Sequence, residues 1–198
     1  MGQHGKYGPL VKQWVTFVLA LSGATPLCAD PAVVAQLSHD LDGDGLAELA
    51  LVIGESDLSL AIFGQTEAHG PVALRAEGPT LGWMGSLNEP PRLAVTPQGS
   101  LQVTSSNWGI GRHKWEMTLT IAHREGQYRV AGLTFGEVDT LQEYSTFSCD
   151  ANLLTGDVIL SGPGEDLTER RDKTIVPALP ISEWTPDLVR AVCPNGDH

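Results

Sequence analysis

Turn signals recur along most of this chain, roughly every 8–12 residues, with short apolar runs between them. They fall at Gly54-Glu55, His69-Gly70-Pro71, Glu77-Gly78-Pro79, Asn88-Glu89-Pro90-Pro91, Gln98-Gly99, Glu125-Gly126, Gly156-Asp157 and Ser161-Gly162-Pro163-Gly164. Helices need longer uninterrupted segments, so this cadence predicts an all-β chain: antiparallel sheets arranged as a sandwich, or propeller-like. Strands are expected at about Leu49–Ile53, Leu58–Phe63, Val72–Ala76, Arg92–Thr96, Leu101–Ser105, Trp115–His123, Tyr128–Phe135 and Val158–Leu160. The clearest is the pair Trp115 to Phe135. Trp115, Met117, Leu119 and Ile121 alternate with Glu116, Thr118 and Thr120, and a Gly-containing turn follows at Arg124–Gln127. Period-2 alternation on both sides of such a turn is a hairpin with one core face. Two short helices are expected beside the sheets. One spans Pro31–Leu37, near the mature N-terminus. The other, at the C-terminus, spans Leu188–Val192, with Thr185 as its cap and Pro186 at its first position. Gly162–Lys173 reads as a charged loop, and no linker divides the chain.

The N-terminus has a different character. Lys6 and Lys12 precede the apolar run Trp14–Leu21, and a looser stretch ends at Ala29-Asp30. Basic, apolar and small-residue regions in that order make a secretory signal, and eight apolar residues are too few to span a bilayer. Residues 1–29 are therefore expected to be removed, with cleavage after Ala29 or, second, Ala24. Residues 30–198 would form one β-rich domain, periplasmic or secreted, with no membrane span. Cys28 would leave with the signal, and Cys149 and Cys193 would remain. A lone pair in an exported chain predicts one disulfide.

Charge narrows the partners. Lys and Arg number 12 against 24 Asp and Glu, a net of −12, and two of those bases belong to the signal. Such a surface disfavours nucleic acid and anionic lipid, and favours a cation, a basic protein or peptide, or another envelope component.

One stretch carries recognisable chemistry: Asp40-Leu-Asp42-Gly-Asp44-Gly45-Leu46-Ala-Glu48, running directly into Leu49–Ile53. Carboxylates at positions 1, 3 and 5, with Gly at 6, wrap a segment around a hard cation. The expected ligands are Asp40, Asp42, Asp44, the carbonyl of Leu46, and Glu48, and an all-oxygen set suits calcium. The alternative is an acidic β-turn without metal. Position 12 is Leu51 and a strand follows, so the loop is not an EF-hand. It resembles instead the FG-GAP/VCBS-type calcium loop, with the match covering about Asp40–Phe63. The family's usual position-9 Asp is Glu48 here. That resemblance implies a β-rich fold and a structural calcium ion. The remainder, through Ser106-Asn107-Trp108, Trp115–Gly132 and Asn152–Gly156, resembles a group of secreted bacterial β-rich proteins, which implies a fold but no activity.

Catalytic signatures are lacking. His39, His69, His113, His123 and His198 form no close metal-ligand pair. His113 and His123 would lie at opposite ends of one strand, roughly 33 Å apart. There is no nucleophile elbow or phosphate loop. The chain is therefore expected to be non-enzymatic, with a structural calcium loop, and to act through protein contact. Trp83 and Trp108 stand in Gly-flanked loops. Bulky aromatics commonly plug sandwich ends, and a carbohydrate- or envelope-binding platform is the alternative. A third reading is a carboxylate hydrolase, using Asp139 with Asp150 or Glu137.

Overall fold

The computed structural model describes residues 32–55, 57–142, 146–162 and 169–194. They belong to one compact unit, Pro31–His198, while the signal-type segment lies outside the described residues. The fold is all-β, in two antiparallel sheets. The first is a four-stranded meander of β1 (Val33–His39), β2 (Glu48–Ile53), β3 (Asp57–Gly64) and β4 (Ala73–Trp83). The second is a seven-stranded meander of β5 (Arg92–Val95), β6 (Leu101–Asn107), β7 (His113–Arg124), β8 (Gln127–Asp139), β9 (Phe147–Asn152), β10 (Asp157–Ser161) and β11 (Glu169–Lys173). Within each sheet every strand pairs with its chain neighbours, so no crossover connection is needed, and the chain changes sheet once, between β4 and β5.

Alternation explains the faces. In β6 and β9 every second side chain is buried: Leu101, Val103 and Ser105, then Phe147, Cys149 and Ala151. These join Ala50 and Val52 of β2, Leu58, Leu60 and Ile62 of β3, and Leu81 of β4 in a single apolar core. Ser105 is buried among them because its hydroxyl accepts the Trp83 N–H at 3.0 Å, tying β4 to β6. The β7–β8 hairpin closes at Arg124↔Gln127, with Glu125 and Gly126 both at positive φ, 53° and 76°. That two-residue geometry matches the twist of the strands it joins.

The structure corrects three expectations. Residues Val33–His39 form a strand, not the helix expected over Pro31–Leu37, because they pair through the register Ala35↔Val52 to His39↔Glu48. The turn signal at Glu77-Gly78-Pro79 does not end a strand. Strand β4 runs through it with a bulge, since Leu58 opposes Gly82 while Leu60 opposes Gly78, and Thr80 absorbs the irregularity at φ 54°. Glu169–Lys173, expected within a charged loop, is the edge strand β11. Its side chains are all exposed, and it is held by pairing from Asp157↔Lys173 to Ser161↔Glu169.

The chain after β11 covers the wider sheet. Leu179 accepts the Val130 N–H at 2.9 Å, a 3-10 turn at Ile181–Glu183 follows, and helix α1 spans Asp187–Val192. The helix sits where expected, but no side chain caps it; Leu188 N–H donates to the Thr185 carbonyl at 3.1 Å instead. Trp184 and Ile181 are fully buried, and Cys149 and Cys193 form a disulfide with Cα atoms 5.8 Å apart. No helix among the described residues is long and apolar enough to cross a membrane.

Candidate metal centre

The acidic loop joins β1 to β2 and is shaped by its own carboxylates. Asp40 accepts the Gly43 N–H at 2.8 Å on one oxygen and the Gly45 N–H at 3.0 Å on the other. Asp42 accepts the Asp44 N–H at 3.0 Å, and Asp44 accepts the Leu46 N–H at 2.7 Å. Gly43 and Gly45 take φ of 82° and 88°, left-handed values that glycine reaches without steric cost. The sequence thus forms a tight turn before any cation is considered.

Glu48 anchors the loop from the first residue of β2. Its side chain is 0% exposed, and its Oε2 accepts the Leu41 N–H at 2.7 Å. The other oxygen, Oε1, is buried without a hydrogen-bond partner. Burial raises the Glu48 carboxyl above its usual range. The Leu41 hydrogen bond opposes that shift, and the charges of Asp42, Asp44 and Asp40 add to it. Oxygens of Asp40, Asp42 and Glu48 lie within 4.8 Å of one another. The structure therefore brings together three of the expected carboxylate ligands. Asp44 stands outside that cluster, and Leu46 contributes its amide to Asp44.

Three further residues shape the centre from outside the motif. Gly64, at the end of β3, leaves room for the longer Glu48 side chain: a Cβ there would lie 3.1 Å from both Glu48 Cγ and Oε1. Arg75 of β4 places Nη2 3.8 Å from Asp42 Oδ2, while its Nη1 donates to the Gln65 carbonyl at 3.2 Å. Tyr128 of β8 buries a hydroxyl with no hydrogen-bond partner. Burial pushes its phenol up strongly, and the nearby Glu48 and Asp42 charges add to the shift. None of the three is contiguous with the loop in sequence. Only the length of the Glu48 side chain, one methylene longer than Asp, hints in the sequence that room would be needed nearby.

Other residues singled out by sequence fall elsewhere. Asp139 is clamped by Arg112, whose Nε lies 2.9 Å from each carboxylate oxygen and whose Nη2 also donates to Oδ2. That hydrogen bonding holds its carboxyl below the usual range. Asp150 opposes Thr134 on the outer face of β8–β9, while Glu137 and Asp139 share the inward-facing register of Leu133. Asp139 and Asp150 thus project from opposite faces of the sheet. His113 and His123 occupy opposite ends of β7, and His123 packs on Tyr128 with ring centroids 4.9 Å apart. His39 is exposed on β1. Trp83, expected in a loop, is instead the last residue of β4, still partly exposed and tilted onto Trp115 with centroids 4.9 Å apart; Trp108 is 54% exposed on the β6–β7 loop.

Fold and loop together define an antiparallel two-sheet β protein with a carboxylate-lined β1–β2 turn. Searches of protein-family models, curated proteins and solved structures find no match to this chain.

Proposed function

We propose that this chain is an exported, non-enzymatic β domain whose β1–β2 loop holds a structural calcium ion, and that it acts through contact with a basic protein or another envelope component. The observation that carries the metal reading is Glu48. A fully buried carboxylate with one unpartnered oxygen is costly, and a cation shared with Asp40 and Asp42 would satisfy it. The donors are all oxygen, the set that calcium prefers. Asp40, Asp42 and Glu48 would hold the ion, with Asp44 ordering the turn beside them. On this reading the loop is of the FG-GAP/VCBS type.

Export is supported by the signal-like first 29 residues and by the disulfide, which suits an oxidising compartment. A contact role is supported by the acidic surface implied by the net charge of −12. A non-enzymatic role is supported by Asp139, the best-buried hydrolase candidate, because Arg112 engages both of its oxygens and keeps it ionised.

The test is thermal unfolding with and without calcium, for wild type and Asp42→Ala/Asp44→Ala. Calcium at a hundredfold excess over Kd should stabilise wild type by about 2.7 kcal/mol. Identical melting curves for both proteins in both conditions would remove the metal reading.

A further inference from the structure

Four strands facing seven leave the wider sheet short of cover. The C-terminal segment fills the middle of that gap with Ile181, Trp184, Val192 and Cys193. Among the described residues it does not fill the end. Along the core face of β7 and β8, Leu119, Ile121 and Leu133 are fully buried, but Trp115, Met117, Phe135 and Glu137 are only partly so. The covering helix is six residues long and stops short.

Two adjoining cavities flank α1 at this place. One, of about 240 Å³, lies between Trp83, Trp115, Met117, Trp184 and Val189. The other, of about 310 Å³, is bounded by Phe135, Glu137, Arg190 and Cys193 as well as Trp115 and Met117. Both share the β7 wall and the underside of α1. Protein interiors are close-packed and leave few voids larger than a water molecule, whereas small-molecule sites begin at roughly 300 Å³ and are mostly apolar with a few polar groups. The lining fits that description. Trp83 and Trp115 meet at 47°, so together they form an angled aromatic wall.

The lining also restricts the ligand. Met117, Phe135 and Val189 offer no hydrogen bonds along the floor, which disfavours a sugar and favours a flat aromatic ring or a short aliphatic chain. At the rim stands Arg190, exposed and without an ion pair to any described residue. Such a guanidinium recognises a carboxylate or sulfonate, and Glu137 on the β8 wall of the same cavity disfavours an anionic group seated any deeper than this rim. We propose that these cavities bind a small amphipathic anion, its apolar body lying on Trp115 and Met117 beneath α1 and its charged end at Arg190. With a protein net charge of −12, such an anion gains nothing from long-range attraction. Affinity must come from burial and from Arg190 at short range. The site is independent of the acidic loop.

The experiment titrates the full, disulfide-bonded protein with two fluorescent probes, anilinonaphthalene sulfonate and its neutral counterpart N-phenylnaphthylamine. Near-ultraviolet circular dichroism and melting curves establish that each variant is folded. Both probes should bind saturably with one equivalent. Filling the space with Met117→Trp or, independently from the helix side, Val189→Trp should weaken both by at least about tenfold, a loss of 1.4 kcal/mol. Arg190→Ala should weaken the sulfonate about fivefold and leave the neutral probe within about twofold. Trp108→Ser, on an exposed loop, should change neither. Absence of saturable binding, or binding that survives both filling variants or is lost in Trp108→Ser, overturns the site. An equal effect of Arg190→Ala on both probes overturns the anionic end. A dimer in light scattering that Val189→Trp dissociates would make the occupant a second copy of the chain, and the proposal would fall.

Discussion

Replacing both Cys149 and Cys193 by alanine tests how the C-terminal cover is held. The bond closes a loop with a sequence separation of 44 residues. Chain-entropy reasoning assigns such a closure about 4 kcal/mol at 25 °C. For a domain of this size each kcal/mol is worth roughly 2–4 °C, so the double variant should melt about 8–16 °C lower. Its position sharpens the expectation. Cys149 lies on the core face of β9, opposite Phe135 on one side and Leu160 on the other. Cys193 ends α1, where its N–H donates to the Val189 carbonyl at 2.8 Å.

A six-residue helix cannot persist alone. Its buried anchors are Val192 and Cys193, while Ile181 and Trp184 lie upstream. Loss of the bond should therefore release α1 before the sheets open. Differential scanning calorimetry reads the melting shift, and brief trypsin treatment below the transition reads the order of events: cleavage after Arg190 should accelerate before cleavage after Arg129 in β8. A shift below about 3 °C, with Arg190 no more accessible than in wild type, would refute the reasoning and leave Trp184 and Ile181 as sufficient anchors.

Three other substitutions have definite expectations. Gly78→Ala places a Cβ 2.3 Å from Leu81 Cδ1 and 2.5 Å from the Ile181 carbonyl oxygen, so it should cost about 1–3 kcal/mol by denaturant unfolding; an unchanged midpoint would show that the covering segment yields freely. Gly64→Ala crowds Glu48 at 3.1 Å and should reduce the calcium-dependent rise in melting temperature, whereas a full calcium response would separate Glu48 from the metal site. Because hydrogen bonding to Arg112 holds the Asp139 carboxyl below the usual carboxylate range, their pairing stabilises the fold fully above the ordinary carboxylate pKa and less as pH falls through the depressed folded value. Arg112→Ala should therefore flatten this acid limb of the stability profile, and parallel profiles between pH 2 and 5 would show that Asp139 is held otherwise.

What sequence could foretell divides along local and non-local lines. The β7–β8 hairpin was legible because its alternation and its turn lie within one short stretch. The acidic turn was legible for the same reason, and the disulfide followed from counting cysteines. Strand β1 is not legible, because a short apolar stretch around Val33-Val34 carries no clear period and suits a helix equally; its pairing with β2 decides the matter. Strand β11 was hidden because an edge strand needs only backbone hydrogen bonds, and Glu169–Lys173 has no apolar face to reveal it. Gly78-Pro79 looks like a turn in any sequence, and only the approach of Ile181 shows why a bulge with a glycine is needed there. Arg75, Gly64 and Tyr128 reach the acidic loop from β4, β3 and β8, so no spacing rule could have joined them to it.

The first residues of β8 link two parts of the fold that are distant in sequence. Tyr128 buries its hydroxyl near enough to the β1–β2 loop for the Glu48 and Asp42 charges to raise its phenol pKa, after burial itself. The neighbouring Arg129 donates to the Ala178 carbonyl at 3.0 Å, and Val130 N–H donates to the Leu179 carbonyl at 2.9 Å. Three successive residues thus meet the acidic loop on one side and the C-terminal cover on the other. A strand start that is buried and hydrogen-bonded in this way cannot shift without disturbing both. The unequal sheets make this necessary: four strands cannot cover seven, so the tail must cross the remainder and be fixed where it enters. The register of β8 aligns that entry, and the bond at Cys193 secures the far end. Between the two fixed points the described part of the cover lies over Trp115 and Met117 without filling the space above them, which is why cavities occur beside α1.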